Sequence, residues 1–189
     1  KVEEQAYYPV SSQQKRLYLI HEMGEQGTVY NMPALLELAG QLDREKVEQA
    51  CAQLSARHEA LRTTFTVVDG ESVQQIASAL PIEVEWSEHE SLDEAQAQAA
   101  FTDFVRPFDL AHGPLFRVKV LQGPTNSYLF FDMHHIISDG ESINILTKEF
   151  SELYNGVELA PLTVHYKDYS HWLAQKDLQA QEDYWVGQF

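Results

Sequence analysis

The residues best suited to chemistry in this sequence cluster in Tyr128 to Gly140, which ends Met133-His134-His135-Ile136-Ile137-Ser138-Asp139-Gly140. Imidazole takes and gives a proton near neutral pH, so adjacent histidines invite the question of what each one faces. In an extended strand alternate side chains share a face. Leu129, Phe131, Met133 and His135 then line one side, and Tyr128, Phe130, Asp132 and His134 the other. This places His135 at the end of an apolar, inward row and sends His134 elsewhere, so the two are expected to do different jobs. Ser138-Asp139-Gly140 reads as the turn after that strand, with Asp139 and Gly140 tolerant of unusual dihedrals. Gly140 opens the following helix, whose first backbone N–H groups can face an anion or a developing oxyanion. An imidazole at a strand end beside free N–H groups has the parts for acyl transfer.

The same residues carry other readings. A lone inward histidine is more often a satisfied core residue than a catalyst. A metal site built from His134, His135 and Asp139 is disfavoured, because strand alternation separates the histidines and no further ligand stands at metal-like spacing. A Ser-His-Asp hydrolase lacks its G-x-S-x-G elbow. Cys51 sits among Val47, Ala50 and Leu54 at helical spacing and reads as core, not nucleophile.

The elements that must position His135 are legible around it. Residues 10–25 read as a helix capped by Ser11 or Ser12, with Leu17, Ile20 and Met23 on one face and Gly24 at its end. Ala34 to Ala39 is a short apolar strand ended by Gly40. Asp43 caps a helix on which Val47, Ala50, Cys51, Leu54 and Leu61 repeat, and Leu42 can staple onto Val47. Arg62 to Val68 and Ser72 to Ala77 form a hairpin about Asp69-Gly70. Ile82 to Trp86 alternates as a strand, and 92–105 is an Ala-rich helix ending before Pro107. Leu115 to Leu121 and Ser127 to His135 are strands around the loop Gly123-Pro124-Thr125-Asn126. Helices follow from Glu141 to Tyr154, ending near Asn155-Gly156, and from about Tyr166 to the C-terminus. Without a strict βαβ rhythm, the expectation is a mixed sheet covered by helices.

At 189 residues the chain can form one full domain or one lobe of a larger enzyme. A net charge of −16 repels phosphate backbones and anionic lipid, so no nucleic-acid or membrane partner is expected. No run approaches the ~20 apolar residues of a membrane span, and no basic-then-apolar leader opens the chain. A single cysteine cannot form an internal disulfide and suits a reducing, cytoplasmic setting. The apolar end, Tyr184-Trp185-Val186-Gly187-Gln188-Phe189, reads as if more protein should follow.

These residues resemble the condensation domains of nonribosomal peptide synthetases, in the superfamily that includes chloramphenicol acetyltransferase. The family motif of two histidines, three residues, Asp and Gly is complete in His134 to Gly140. Three further matches fall in the family's order. Ser11-Ser12-Gln13-Gln14-Lys15-Arg16-Leu17-Tyr18-Leu19 is similar to the opening motif, departing at Gln13, where alanine is usual. Arg57-His58-Glu59-Ala60-Leu61-Arg62-Thr63-Thr64-Phe65 matches the second in full. Tyr166-Lys167-Asp168-Tyr169-Ser170-His171-Trp172 resembles the fourth. Tyr30-Asn31-Met32-Pro33 looks like the subtype joining two L-configured residues. Glu141 stands where a tryptophan or small apolar residue is commoner.

The resemblance implies an α+β fold, a mixed, largely antiparallel sheet covered by helices, forming one of two similar lobes. It implies that His135 faces the reaction centre, that His134 braces the loop, and that Asp139 is structural and pairs with Arg62. Gly140 would lend a backbone N–H near the reacting carbonyl. The implied reaction joins an upstream aminoacyl or peptidyl thioester to a downstream aminoacyl thioester, both on phosphopantetheine arms of carrier domains, with no bound metal or organic cofactor. Implied partners are the flanking carrier domains, neighbouring adenylation domains and a C-terminal lobe beyond residue 189. An epimerisation domain shares the double histidine, but Arg57 to Phe65 and Ser138-Asp139-Gly140 are closer to condensing members. A docking fragment that binds carriers without chemistry is the non-enzymatic alternative.

Overall fold

The computed structural model describes residues 1–24 and 27–188. Glu25, at the edge of the first expected helix, and the terminal Phe189 lie outside the described residues. The elements run β1 (Tyr8–Pro9), α1 (Ser12–Met23), β2 (Ala34–Ala39), α2 (Arg44–Arg57) and a 3-10 turn (Glu59–Arg62). Then come β3 (Thr63–Val68), β4 (Glu71–Ile76), β5 (Val84–Glu88), α3 (Glu94–Phe104), β6 (Phe116–Gln122) and β7 (Asn126–Met133). Three helices close the chain: α4 (Gly140–Tyr154), α5 (Tyr166–Ala174) and α6 (Gln179–Val186).

The strands form two sheets, β2-β7-β6-β5 and β1-β4-β3. In the larger, β7 pairs antiparallel with β2 and β6, and β5 runs parallel to β6. Strand β7 is covered on both faces, which its near-unbroken apolar sequence allows. Leu129, Phe131 and Met133 join Val47, Leu54 and Phe150 on the side of α2 and α4. Tyr128 and Phe130 join Ala97 and Phe104 of α3 on the other. In the smaller sheet Asp69 and Gly70 both take positive φ (51° and 83°), the backbone a tight hairpin turn needs, and β3 pairs with β4.

The mixed, helix-covered α+β architecture is as expected, with differences in detail. Strand β7 stops at Met133, because the Asn31–His134 bridge and the bond from His135 N–H to Tyr30 O turn the chain away. His135 is therefore exposed rather than inward, and His134 is the buried one. Alternation misled here because both faces of β7 are interior. Helix α1 has its expected Ser11 cap and Gly24 end, but it buries Gln14 and Tyr18 while Ile20 and Met23 face solvent. Leu61 is buried from the 3-10 turn, since α2 ends at Arg57. The C-terminal helix is broken between Ala174 and Gln179.

Candidate active site

The chain leaving β7 folds into a tight loop held by its own polar groups. His134 N–H donates to Leu115 O at 3.0 Å, and its Nδ1 accepts from Ile136 N–H at 3.0 Å. The Ser138 hydroxyl donates to His134 O at 3.0 Å. Burial, with smaller effects from His21 and His135, pushes the His134 imidazolium down to about 4, so the ring is neutral near pH 7. This ring fastens the loop from inside.

His135 is placed differently. Its Nδ1 lies 2.8 Å from Ser138 O, a carbonyl that only accepts, so Nδ1 carries the hydrogen. That tautomer has its lone pair on Nε2. Its exposed side chain lines a cleft of about 410 Å³.

Four separate stretches of sequence meet at that cleft. Besides the His135 loop, Gln14 and Leu17 come from α1, Glu59 and Thr63 from the turn after α2 and the start of β3, and Tyr166 and Tyr169 from α5. Direct bonds link them: Gln14 Nε2 donates to Ile136 O at 3.4 Å, and Ser11 Oγ lies 2.9 Å from Tyr166 Oη. Gln74 and Ile76 of β4 also line the cleft, a contribution no motif announced.

Asp139 does not pair with Arg62. It caps α4, accepting from Ser142 N–H at 2.8 Å and the Ser142 hydroxyl at 2.7 Å, bonds that hold its carboxyl below the usual range. Arg62 donates from Nε to Ser55 O at 2.8 Å and from Nη2 to Ala56 O, capping the end of α2, and from Nη1 to Ala77 O just after β4. Each group is satisfied locally, which removes the need for the long-range pair. Neither Asp139 nor Gly140 has positive φ. A Cβ added at Gly140 meets nothing within 4 Å, so the space over its backbone is open to a ligand.

The metal reading finds no donor set, since the His134 ring is buried with Nδ1 engaged and the Asp139 carboxylate is turned to Ser142. Among the described residues no group of three or more His, Cys, Asp or Glu stands together for a metal ion. Cys51 is fully buried, and burial, then Glu48, pushes its thiol up to about 12, which leaves it a core group.

The condensation-domain family profile matches residues 4–189. The chain belongs to the condensation-domain family. It is 46% identical over 190 residues to tyrocidine synthase 3 of Brevibacillus parabrevis, a match covering 98% of this chain and 3% of that protein. Bacitracin synthase 3 of Bacillus licheniformis is 44% identical over 194 residues, covering 100% and 3%. These relatives are nonribosomal peptide synthetases. The starter condensation domain of rhizomide synthetase superposes with a TM-score of 0.83 at 21% identity, covering 98% of this chain and 48% of that one, which shows the shared fold. This condensation-domain chain thus spans a small fraction of its curated relatives and about half of the solved domain.

Proposed function

We propose that the chain is the first lobe of a condensation domain that forms an amide between two carrier-bound thioesters. The observation that carries this reading is the convergence of all four motif stretches on one cleft, lined by an exposed His135 whose Nδ1 is held by Ser138 O. The downstream α-amine attacks the upstream thioester carbonyl carbon, forming the C–N bond and a tetrahedral oxyanion. His135 Nε2 accepts the amine N–H and takes its proton, while Gly140 N–H faces the oxyanion. Collapse breaks the C–S bond, and the departing thiolate receives the proton. An α-amino group of pKa ~7.7–8.0 is partly neutral near pH 7, and a thiol of pKa ~8.5 leaves readily. Alignment of the reactants therefore matters more than strong base catalysis.

Both substrates arrive on phosphopantetheine arms of carrier domains, beside adenylation domains of the same synthetase, and no resident metal or organic cofactor takes part. No helix among the described residues is long and apolar enough to cross a membrane, which fits a reaction run in the cytoplasm. A second lobe supplies the other wall of the cleft, so the 189-residue chain alone condenses nothing efficiently.

The test joins the chain to a C-terminal lobe, supplies two aminoacyl carriers, and detects dipeptidyl carrier by intact-protein mass spectrometry. Product that falls at least 100-fold in His135→Ala supports the reading. A folded, carrier-binding two-lobed protein that makes no dipeptide overturns it in favour of a docking role, and inversion of a carrier-bound residue points to an epimerisation domain.

A further inference from the structure

The second motif contributes three consecutive charged or titratable residues, Arg57-His58-Glu59, at the end of α2. They do not act on the cleft interior as a group. Arg57 grips Glu149 of α4 with two bonds, Nε to Oε2 at 2.9 Å and Nη2 to Oε1 at 3.1 Å. His58 Nε2 lies 2.6 Å from the same Oε2. Glu59 turns the other way and accepts from Lys167 of α5 at 2.8 Å. All five side chains are between 11% and 17% exposed, dry enough for these pairs to hold direction as well as charge.

The elements joined in this way also supply walls of the cleft. The turn after α2 gives Glu59 and Ala60, the start of β3 gives Thr63, the start of α4 gives Asp139 and Ser142, and α5 gives Tyr166 and Tyr169. Glu149 lies on α4 far from the cleft mouth and belongs to none of the four motifs. Burial pushes its carboxyl up, but hydrogen bonds from His58 and Arg57 outweigh this and hold it low, so it stays ionised. Arg57 also donates to Ala160 O, fixing the segment that leads to α5.

We infer that Glu149 is a positioning residue, the counter-ion through which Arg57 and His58 set the placement of α4, and so of the Asp139–Gly140 turn, relative to the opposite cleft wall. This rests on the condensing reading for its effect on rate, but not for its effect on structure. The contact is bidentate and angular, so it fixes α4 in a way that the apolar packing between α2 and α4 alone does not. Removing it leaves a packed helix that is free to slide, and a displacement of about 1 Å is enough to cost up to 100-fold in a reaction limited by alignment.

The experiment uses the two-lobed domain described above, with Glu149→Ala and the milder Glu149→Gln, each first shown by thermal melting to be folded at the assay temperature. Amide hydrogen exchange is read at Ser142 and Ile143, and kcat and KM are measured for the acceptor carrier. The expected result is at least 10-fold faster exchange at the first turn of α4, and a kcat lowered about 10-fold with KM changed less than 3-fold. Glu149→Asp should fall between wild type and Ala. Unchanged exchange in both folded variants overturns the inference, whatever the activity. Faster exchange with wild-type kcat also overturns it, reducing Glu149 to a stabilising contact. A wild-type domain that makes no dipeptide sinks the condensing reading instead, and exchange alone then decides the structural claim. Should Glu149→Ala not fold, Glu149→Gln decides each outcome.

Discussion

The four-stranded sheet is held mainly by close apolar packing, whereas the three-stranded sheet adds buried side-chain hydrogen bonds to the packing of Phe65. At the centre of the first, Phe130 packs edge-on to Phe101 at 5.2 Å and against Phe104 at 5.7 Å, and Phe131 stacks on Phe116 at 5.7 Å. In the second, the buried Gln74 of β4 donates to Pro9 O at 2.9 Å and to Ser170 Oγ of α5 at 2.8 Å. Helix α5 docks there with its polar residues inward, Asp168 and Ser170 buried while Tyr169 and Trp172 are exposed. Apolar attraction is non-directional, whereas hydrogen bonds demand angle and partner. The cleft lies between the two sheets: His135 follows β7 of the larger sheet, and Tyr166 opens α5, the helix bonded to Gln74 of the smaller one.

The comparison breaks most easily at Phe130, where truncation to Ala should cost about 3–5 kcal/mol by urea titration; a loss under 1 kcal/mol would show that the apolar face is not what holds β7. The next effect is acid sensitivity. The His134 pKa of about 4 lies below the ~6.5 of an unfolded histidine, so its stability contribution is full above pH 6.5 and is lost as pH falls toward 4, roughly 3 kcal/mol in all. Asp132 works against it. Burial, opposed by Asn31 and Arg117, pushes its carboxyl up to about 6, above the unfolded ~3.9, so it favours the fold as pH falls from 6 to 4. Asp132→Asn should therefore steepen the acid loss, and an unchanged slope in pH-dependent chemical denaturation would remove the assignment. Gln74→Leu, which removes the donor to Pro9 O and Ser170 Oγ, should cost about 1–3 kcal/mol and loosen α5 before the larger sheet, as hydrogen exchange would resolve. Smallest of all, Lys15→Ala breaks an exposed pair with Glu71 (3.1 Å) and should change stability by less than about 1 kcal/mol in the same titration.

Much of this was legible because local chemistry decided it. Asp43 caps its helix, and Asp69-Gly70 makes its hairpin, from side-chain and backbone preferences a few residues long, whereas the caps at Asp93 and Asp139 emerged only in the structure. Tertiary contacts overrode the rest. Leu17 is half-buried as its pattern suggests, but Gln14 is drawn in by Ile136 O, which no helical periodicity encodes. The inward placement of His135 failed because alternation assigns faces only when one of them is wet. The pair between Arg62 and Asp139 failed because both groups found nearer partners. Glu149 and Asp132 were invisible, since a buried carboxylate declares itself only when its distant cation, Arg57 or Arg117, is in view.

The order of pairing in the larger sheet has a kinetic consequence. Strands β6 and β7 are separated by a short loop, so their hairpin can close early and locally. Strand β2 must wait, because its Ala34 pairs with Phe131. On a ribosome adding 5–20 residues per second, that wait is roughly 5–20 s, during which the run Ala-Leu-Leu-Glu-Leu-Ala has no edge to join. The nascent chain thus carries a sticky, unpaired strand until β7 emerges, and that arrival is the moment at which aggregation and folding stop competing for it.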